Sequence, residues 1–185
     1  MTLPKLIGIL GRSRSGKDTV ANIIREKFPH YTIYRFAQPI KNALQEIYGF
    51  TPEQLEDDQK ELIDNRYNIT PRQAMQEMTT FYLNKHGAGF FSNKLFNIFD
   101  NKDANAIDDG IIIPDVRYAH DIEQIRNRGG IILKITRPSL TLSHIIENNI
   151  TDLSGDYEII NDKDISMLKI TTERLITEIV FNQIV

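Results

Sequence analysis

The chain has 185 residues, 41% hydrophobic and 25% charged, which fits one globular domain and excludes a disordered chain. Its 22 Lys and Arg against 25 Asp and Glu leave a net charge of −3, so no global field draws it to nucleic acid and a bound anion must be held locally. It contains no cysteine, which removes disulfide scaffolds, thiolate metal sites and cysteine nucleophiles and fits a reducing compartment.

Leu6–Leu10 is apolar on both faces between Pro4 and Gly11, the pattern of a strand buried in a parallel sheet. It is too short for a secretory signal or a membrane span of about 20 residues, so a cytoplasmic protein with no membrane partner is expected. From Lys17, the residues Val20, Ile23, Ile24 and Phe28 recur at helical spacing until Pro29. Tyr31–Phe36 reads as a second strand, and Pro39 opens a helix over 39–48 that Gly49 ends. Thr51-Pro52 and Thr70-Pro71 each pair a hydroxyl cap with a first-position proline, which predicts a helical insert over 51–100. Its acidic stretch Glu53–Asp64 reads as a solvated face. Asn101–Asp109 is loop-like, and Gly110–Asp115 is an apolar run ending in an acid. A helix over Asp121–Arg128, Gly129-Gly130 and a strand over Ile131–Thr136 complete a β-α-β unit. Residues 138–156 are turn-rich, Tyr157–Ile160 is a last strand, and Ile165–Ile184 is helical. No internal repeat is present.

Gly11-Arg12-Ser13-Arg14-Ser15-Gly16-Lys17-Asp18-Thr19 fits the phosphate-binding loop G-x-x-x-x-G-K, directly after a strand and at the start of a helix. Glycines let backbone N–H groups turn onto the phosphates, the helix N-terminus adds positive charge, and Lys17 neutralises the β- and γ-oxygens. The residue after the lysine is Asp18 where Ser or Thr is usual, with Thr19 next. A carboxylate there can hold Mg²⁺ directly or through water, or only cap the helix. Asp115, at the C-terminal end of an apolar strand, is placed either to partner the loop or to cap the next helix. Arg117 and Asp121 follow it. Lys41, Arg72 and Gln76 are candidates for holding a second phosphorylated molecule, since Arg72 and Gln76 share a helix face. The histidines, His30, His86, His120 and His144, have no ligand-like spacing, so dedicated zinc chemistry is not expected.

The stretches GRSRSGKDTVANII, FAQPIKNAL, PRQAMQEMTT, PDVRYAHDIEQIRNRGGIILKITRP and, more loosely, HIIENN and EIINDKDISMLK resemble the phage-type deoxynucleoside monophosphate kinases, within the P-loop nucleoside monophosphate kinase group. That family likewise has Asp after the loop lysine. The resemblance implies a three-layer α/β/α P-loop kinase fold, with a mainly parallel sheet, a helical acceptor-binding insert and a short lid at 138–156, all within one domain over 1–185. It implies that Arg14, Gly16, Lys17, Asp18 and Thr19 bind ATP, with Gly11, Ser13 and Ser15 completing the loop. Ile40 and Lys41 would meet the acceptor nucleotide, Arg72 would clamp its phosphate, and Phe91 would lie against its base. Thr79 and Thr80 occupy the family's glycine-threonine position. Asp115, Arg117 and Asp121 fall on its acid-x-arginine and following acidic positions.

The expected reaction is Mg²⁺-assisted transfer of the γ-phosphoryl of ATP to a deoxynucleoside 5′-monophosphate. It needs positioning and charge neutralisation and no general base. Asp18, Thr19 and Asp115 are the candidate metal residues, and Lys17, Arg14 and Asp115 the candidate catalytic ones. The segment from Arg137 to Ile150 holds no other Arg or Lys, so Arg14 is expected on the transferring phosphoryl, with Arg137 either against the nucleotide or in solvent. Alternatives are a P-loop kinase for another phosphorylated acceptor and a nucleotide-dependent switch or ATPase. Asn101-Lys102-Asp103-Ala104 misses the guanine signature N-K-x-D. AT-rich coding, suggested by abundant Ile, Asn and Lys, makes a viral source and a host-cytoplasm location plausible, and a homodimer is left open.

Overall fold

The computed structural model describes residues 3–101, 110–139 and 152–182. These contain five strands, β1 Leu6–Gly11, β2 Thr32–Ile33, β3 Ile111–Val116, β4 Ile131–Thr136 and β5 Tyr157–Ile160. The helices are α1 Lys17–Lys27, α2 Gln38–Tyr48, α3 Pro71–His86, α4 Phe90–Asn101, α5 Ala119–Arg126 and α6 Ile165–Asn182, with two 3-10 turns at Glu53–Leu55 and Gln59–Glu61. All four strand pairings are parallel, in the order β2-β3-β1-β4-β5. The chain departs from β1 to one side of the sheet for β2 and β3 and to the other for β4 and β5. The C-terminal end of β1 is therefore the topological switch point, where open parallel sheets bind ligands.

Two compact units make up the chain, one formed by residues 1–35 with 96–185 and one by Phe36–Leu95. In the first, all six residues of β1 are buried, as a central parallel strand covered on both faces requires. Ile7 and Ile9 pack with Val20, Ala21 and Ile24 of α1 and Leu168, Ile176 and Ile179 of α6. Gly8 points the other way, where an added Cβ would lie 2.7 Å from Ile132 Cδ1 and 2.8 Å from Ile125 Cδ1, so glycine lets α5 approach. Helices thus cover both faces, giving the expected three layers.

In the second unit, Ile40, Leu44, Phe50, Leu55 and Ala74 form the core, with Met75, Met78 and Phe91 against it. Gly49 ends α2 at φ +62°, a left-handed conformation that glycine adopts without strain. Thr70 starts α3 as expected, its hydroxyl accepting from Gln73 N at 3.0 Å ahead of Pro71.

Element boundaries depart from expectation where tertiary packing decides them. The strand expected over Tyr31–Phe36 is reduced to Thr32–Ile33: Tyr31 N is taken by the turn after α1, donating to Phe28 O at 2.9 Å, and pairing with β3 ends at Tyr34 N, which donates to Ile112 O at 2.9 Å. The compact second unit begins at Phe36, not near 51, because Ile40 and Leu44 of α2 belong to its core. It ends at Leu95, since Phe96 and Asp100 at the end of α4 engage Arg128, whose guanidinium lies 4.5 Å from the Phe96 ring centroid and whose Nη2 is 2.6 Å from Asp100 Oδ2. Most of the expected lid and loop, 140–151 and 102–109, lies outside the described residues. No helix among those described is long and apolar enough to cross a membrane.

Candidate phosphate-binding sites

The glycine loop sits between β1 and α1, at the switch point of the sheet. Gly11 is required sterically: a Cβ there would fall 2.7 Å from both Ile135 O and Ser15 Oγ. Arg14 and Gly16 have φ of +61° and +105°. Left-handed residues interspersed with ordinary ones form a concave nest of N–H groups, which binds anions. For Arg14 that conformation is strained, and strained backbone of this kind gathers at functional sites.

Several groups hold the loop. Lys17 is buried at the start of α1, and its Nζ donates to Arg12 O at 2.5 Å. Arg137 Nη1 donates to Arg14 O at 3.2 Å, which sets Arg137 against the loop. The buried Asn161, just after β5, donates from Nδ2 to Ser15 O at 2.8 Å. Ser15 Oγ is buried with no hydrogen-bond partner among the described residues. Asp18 is exposed and paired with Arg35, Oδ1 to Nη2 2.7 Å, while Ser13 and Thr19 are half-buried.

Register places Asp115 at the same edge: Val116 of β3 stands opposite Leu10 of β1, one residue before Gly11. Asp115 is half-buried and close to Tyr34, whose phenol pKa is pushed up by burial first and by the Asp115 charge second. Arg117 and Tyr118 follow, the latter with its phenol pKa raised mainly by burial. Asp121, expected to meet the acceptor, is buried, and its carboxylate accepts from Tyr118 N at 3.3 Å. Its visible work is to start α5.

The second unit gathers a separate set of cations. Lys41 on α2 is ion-paired with Glu56, and Arg72 on α3 with Glu61. Lys60 lies among these groups, its pKa lowered by burial first, then by the charges of Arg72 and Lys41. Gln76 is half-buried one turn after Arg72. Ile40 was expected to touch the acceptor; its side chain is buried in the core with Leu44, Phe50, Leu55 and Ala74. Thr79 is half-buried and donates to Met75 O at 2.7 Å, while Thr80 is exposed. Phe91 is half-buried, edge-on to Phe90 at 5.0 Å and Tyr82 at 6.0 Å between ring centroids.

Lys60, Glu56, Glu61, Arg35 and Asn161 were missed in the sequence. The acidic stretch read as a solvated face is mostly exposed, and within it Glu56 and Glu61 also pair with Lys41 and Arg72. The described residues contain no group of three or more His, Cys, Asp or Glu able to hold a metal. Asp18, Thr19 and Asp115 offer hard oxygen donors only, a set suited to Mg²⁺ bound chiefly by phosphates and water.

The sequence model of the family described as deoxynucleotide monophosphate kinase matches residues 5–68 and 50–171. A protein of Acanthamoeba polyphaga mimivirus, assigned as a deoxynucleotide monophosphate kinase, is 29% identical over 177 residues, covering 86% of this chain and 90% of its own. Similar solved structures include shikimate kinase from Aquifex aeolicus (13% identity, TM-score 0.50, 97% of this chain and 98% of that one). Dephospho-CoA kinase from Campylobacter jejuni is another (14%, 0.50, 95% and 97%). At such identities the likeness is one of fold: an α/β P-loop kinase.

Proposed function

Since the chain belongs to the deoxynucleotide monophosphate kinase family and is a phosphotransferase, we propose that it moves the γ-phosphoryl of ATP to the 5′-phosphate of a deoxynucleoside monophosphate. An oxygen of the acceptor phosphate bonds to the γ-phosphorus, the bond to the β,γ-bridging oxygen breaks, and ADP leaves with that electron pair. The observation that supports this reading is that each unit has its own recessed cationic group suited to a phosphate, the Lys17 loop in one and Lys41 with Arg72 in the other. Donor and acceptor are both phosphorylated, and the reaction calls for two such groups.

In this reading Gly11, Ser13, Ser15, Gly16 and Lys17 cradle the triphosphate, with Arg137 beside them. Arg14 meets the transferring phosphoryl. Lys41 and Arg72 hold the acceptor phosphate, with Gln76, Thr80 and Phe91 around the nucleoside and Thr79 fixed to its own helix. Asp115 and Arg117 orient the acceptor sugar or bound water, and Asp121 acts through the start of α5. Mg²⁺ would neutralise the phosphate oxygens, with Asp18, Thr19 and Asp115 as its protein partners, directly or through water. The chain works as one P-loop kinase domain. A viral source and a host-cytoplasm location rest on the mimivirus relative.

The test is an ADP-release assay with Mg·ATP and each of dTMP, dGMP, dCMP, dAMP and their ribose counterparts, beside Lys17→Ala. Stimulation by a deoxynucleotide, lost in the variant, is expected. ATP binding without stimulation by any of them would overturn the assignment and direct the search to other phosphorylated acceptors.

A further inference from the structure

We propose that Lys60 is a third cation of the acceptor-phosphate site, and that Glu56 and Glu61 are resident counter-ions which the acceptor phosphate displaces from Lys41 and Arg72. This rests on the kinase reading above and extends it to three residues outside the family motifs quoted for the chain.

Exposure within the two ion pairs is lopsided. The Lys41 and Arg72 side chains are 10% and 18% exposed, whereas those of Glu56 and Glu61 are 56% and 38% exposed. The cations are recessed and the carboxylates lie over them from the solvent side. A carboxylate that keeps part of its hydration loses less on leaving than a fully buried one would. A phosphate monoester brings nearly twice the charge and three acceptor oxygens to the same donors.

Charge count points the same way. Lys41, Lys60 and Arg72 face Glu56 and Glu61, which leaves the cluster one positive charge in excess. Lys60 follows Glu56 by one turn, its backbone N donating to Glu56 O at 3.3 Å, and precedes Glu61 directly. Its ammonium makes no hydrogen bond or ion pair among the described residues. Burial and the two neighbouring cations disfavour its charge, while Glu56 and Glu61 favour it. An arriving dianion would relieve that repulsion.

The segment is also built to exchange. Leu55, buried in the core, pins one end, and Asp64, held by Arg66 with Nη2 to Oδ2 at 2.7 Å, pins the other. Between them Leu62 and Ile63 are 59% and 60% exposed, so little apolar packing fixes the stretch that carries both acids.

The experiment measures steady-state kinetics of the full chain with the deoxynucleotide varied at saturating Mg·ATP, for Glu56→Gln, Glu61→Gln, Lys60→Met and Lys60→Arg. Calorimetric titration with inorganic phosphate accompanies it. Removing a competing carboxylate should lower the deoxynucleotide KM about two- to fivefold and tighten phosphate binding equally, with KM for ATP unmoved. Lys60→Met should raise the deoxynucleotide KM about tenfold, and Lys60→Arg should restore most of it. A Glu→Gln pair that leaves KM and phosphate affinity unchanged or worse overturns the proposal, as does a Lys60→Met variant with wild-type values. The phosphate titration needs no turnover. Glutamine variants that tighten phosphate binding in a protein no deoxynucleotide stimulates would support the exchange and refute the kinase reading instead.

Discussion

Replacing Asn161 by alanine removes the donor that Ser15 O uses, a 2.8 Å hydrogen bond from Nδ2 of a residue 8% exposed. The end of β5 survives, because Asn161 N still donates to Thr136 O at 2.8 Å. What changes is the glycine loop, whose Ser15 carbonyl is left without its donor. An unsatisfied buried polar group costs about 1–3 kcal/mol. At 1.4 kcal/mol per factor of ten, a loop that relaxes out of its phosphate-binding shape at that cost weakens ATP about 5- to 150-fold. Asn161→Asp is expected to be worse, since a carboxylate then faces the carbonyl oxygen and adds negative charge beside the triphosphate. Leu168 and Asn161 both crowd Gly16, whose added Cβ would lie 2.8 Å from Asn161 Nδ2, so the amide also shapes the left-handed turn. The assay is ATP affinity by calorimetry beside thermal unfolding. An Asn161→Ala protein with wild-type ATP affinity and wild-type Tm would refute this account of how the loop is held.

Arg14 carries both a strained backbone, φ +61°, and the expected transition-state contact. Arg14→Ala and Arg14→Gly should each lower kcat by about 10³ or more, far beyond any rise in KM for ATP, and equal effects on both would count against the contact. Arg14→Gly should unfold at higher temperature than Arg14→Ala, because glycine takes this conformation without the cost of about 1–2 kcal/mol paid by other residues. At Tyr31, burial pushes the phenol from 10.0 up to about 12. The folded state then favours the neutral ring, and that contribution is whole below pH 10 and is lost as pH rises from 10 to about 12, by at most about 3 kcal/mol. Urea unfolding across that window should show a steeper loss in the wild type than in Tyr31→Phe, and parallel curves would refute it.

The central sheet was legible because buried parallel strands leave an apolar run, as in Ile131–Thr136; the edge strand Tyr157–Ile160, with only Ile159 buried, was legible from its β-forming residues, and the observed bounds of both match the expected ones. The glycine loop was legible for a related reason: its spacing encodes a local backbone shape. Tyr31 shows where such reading stops. Its β-forming neighbours suggested a longer strand, but its ring lies against Gly110, where a Cβ would sit 1.8 Å from Tyr31 Cε1, and only the fold brings those two together. Asn161 is similar, since its amide meets Ser15 only after β5 has added to the sheet beside β4. Glu56 and Glu61 were hidden by composition. Four of the five residues from Glu56 to Lys60 are polar acids or amides, a pattern shared with any solvated loop, and nothing local marks the acids that fold back onto Lys41 and Arg72.

The candidate phosphate-binding cations share one electrostatic habit, each within its own unit. Lys17 rests on Arg12 O and Arg137 on Arg14 O, while Lys41 and Arg72 rest on Glu56 and Glu61. At the start of α1 the sign is reversed, with Asp18 held by Arg35. A recessed cation with no partner would be desolvated without compensation. An internal acceptor compensates and orients it, and in the proposed reaction phosphate takes that acceptor's place. On the exchange proposed above, ligand binding at each position swaps one anion-like partner for another, and the affinity is the difference between the two. That difference is small for a single weak anion and large only for a group that fills several donors together. Discrimination in favour of phosphate esters over carboxylates, at moderate affinity, follows from this arrangement and suits an enzyme that must release its product.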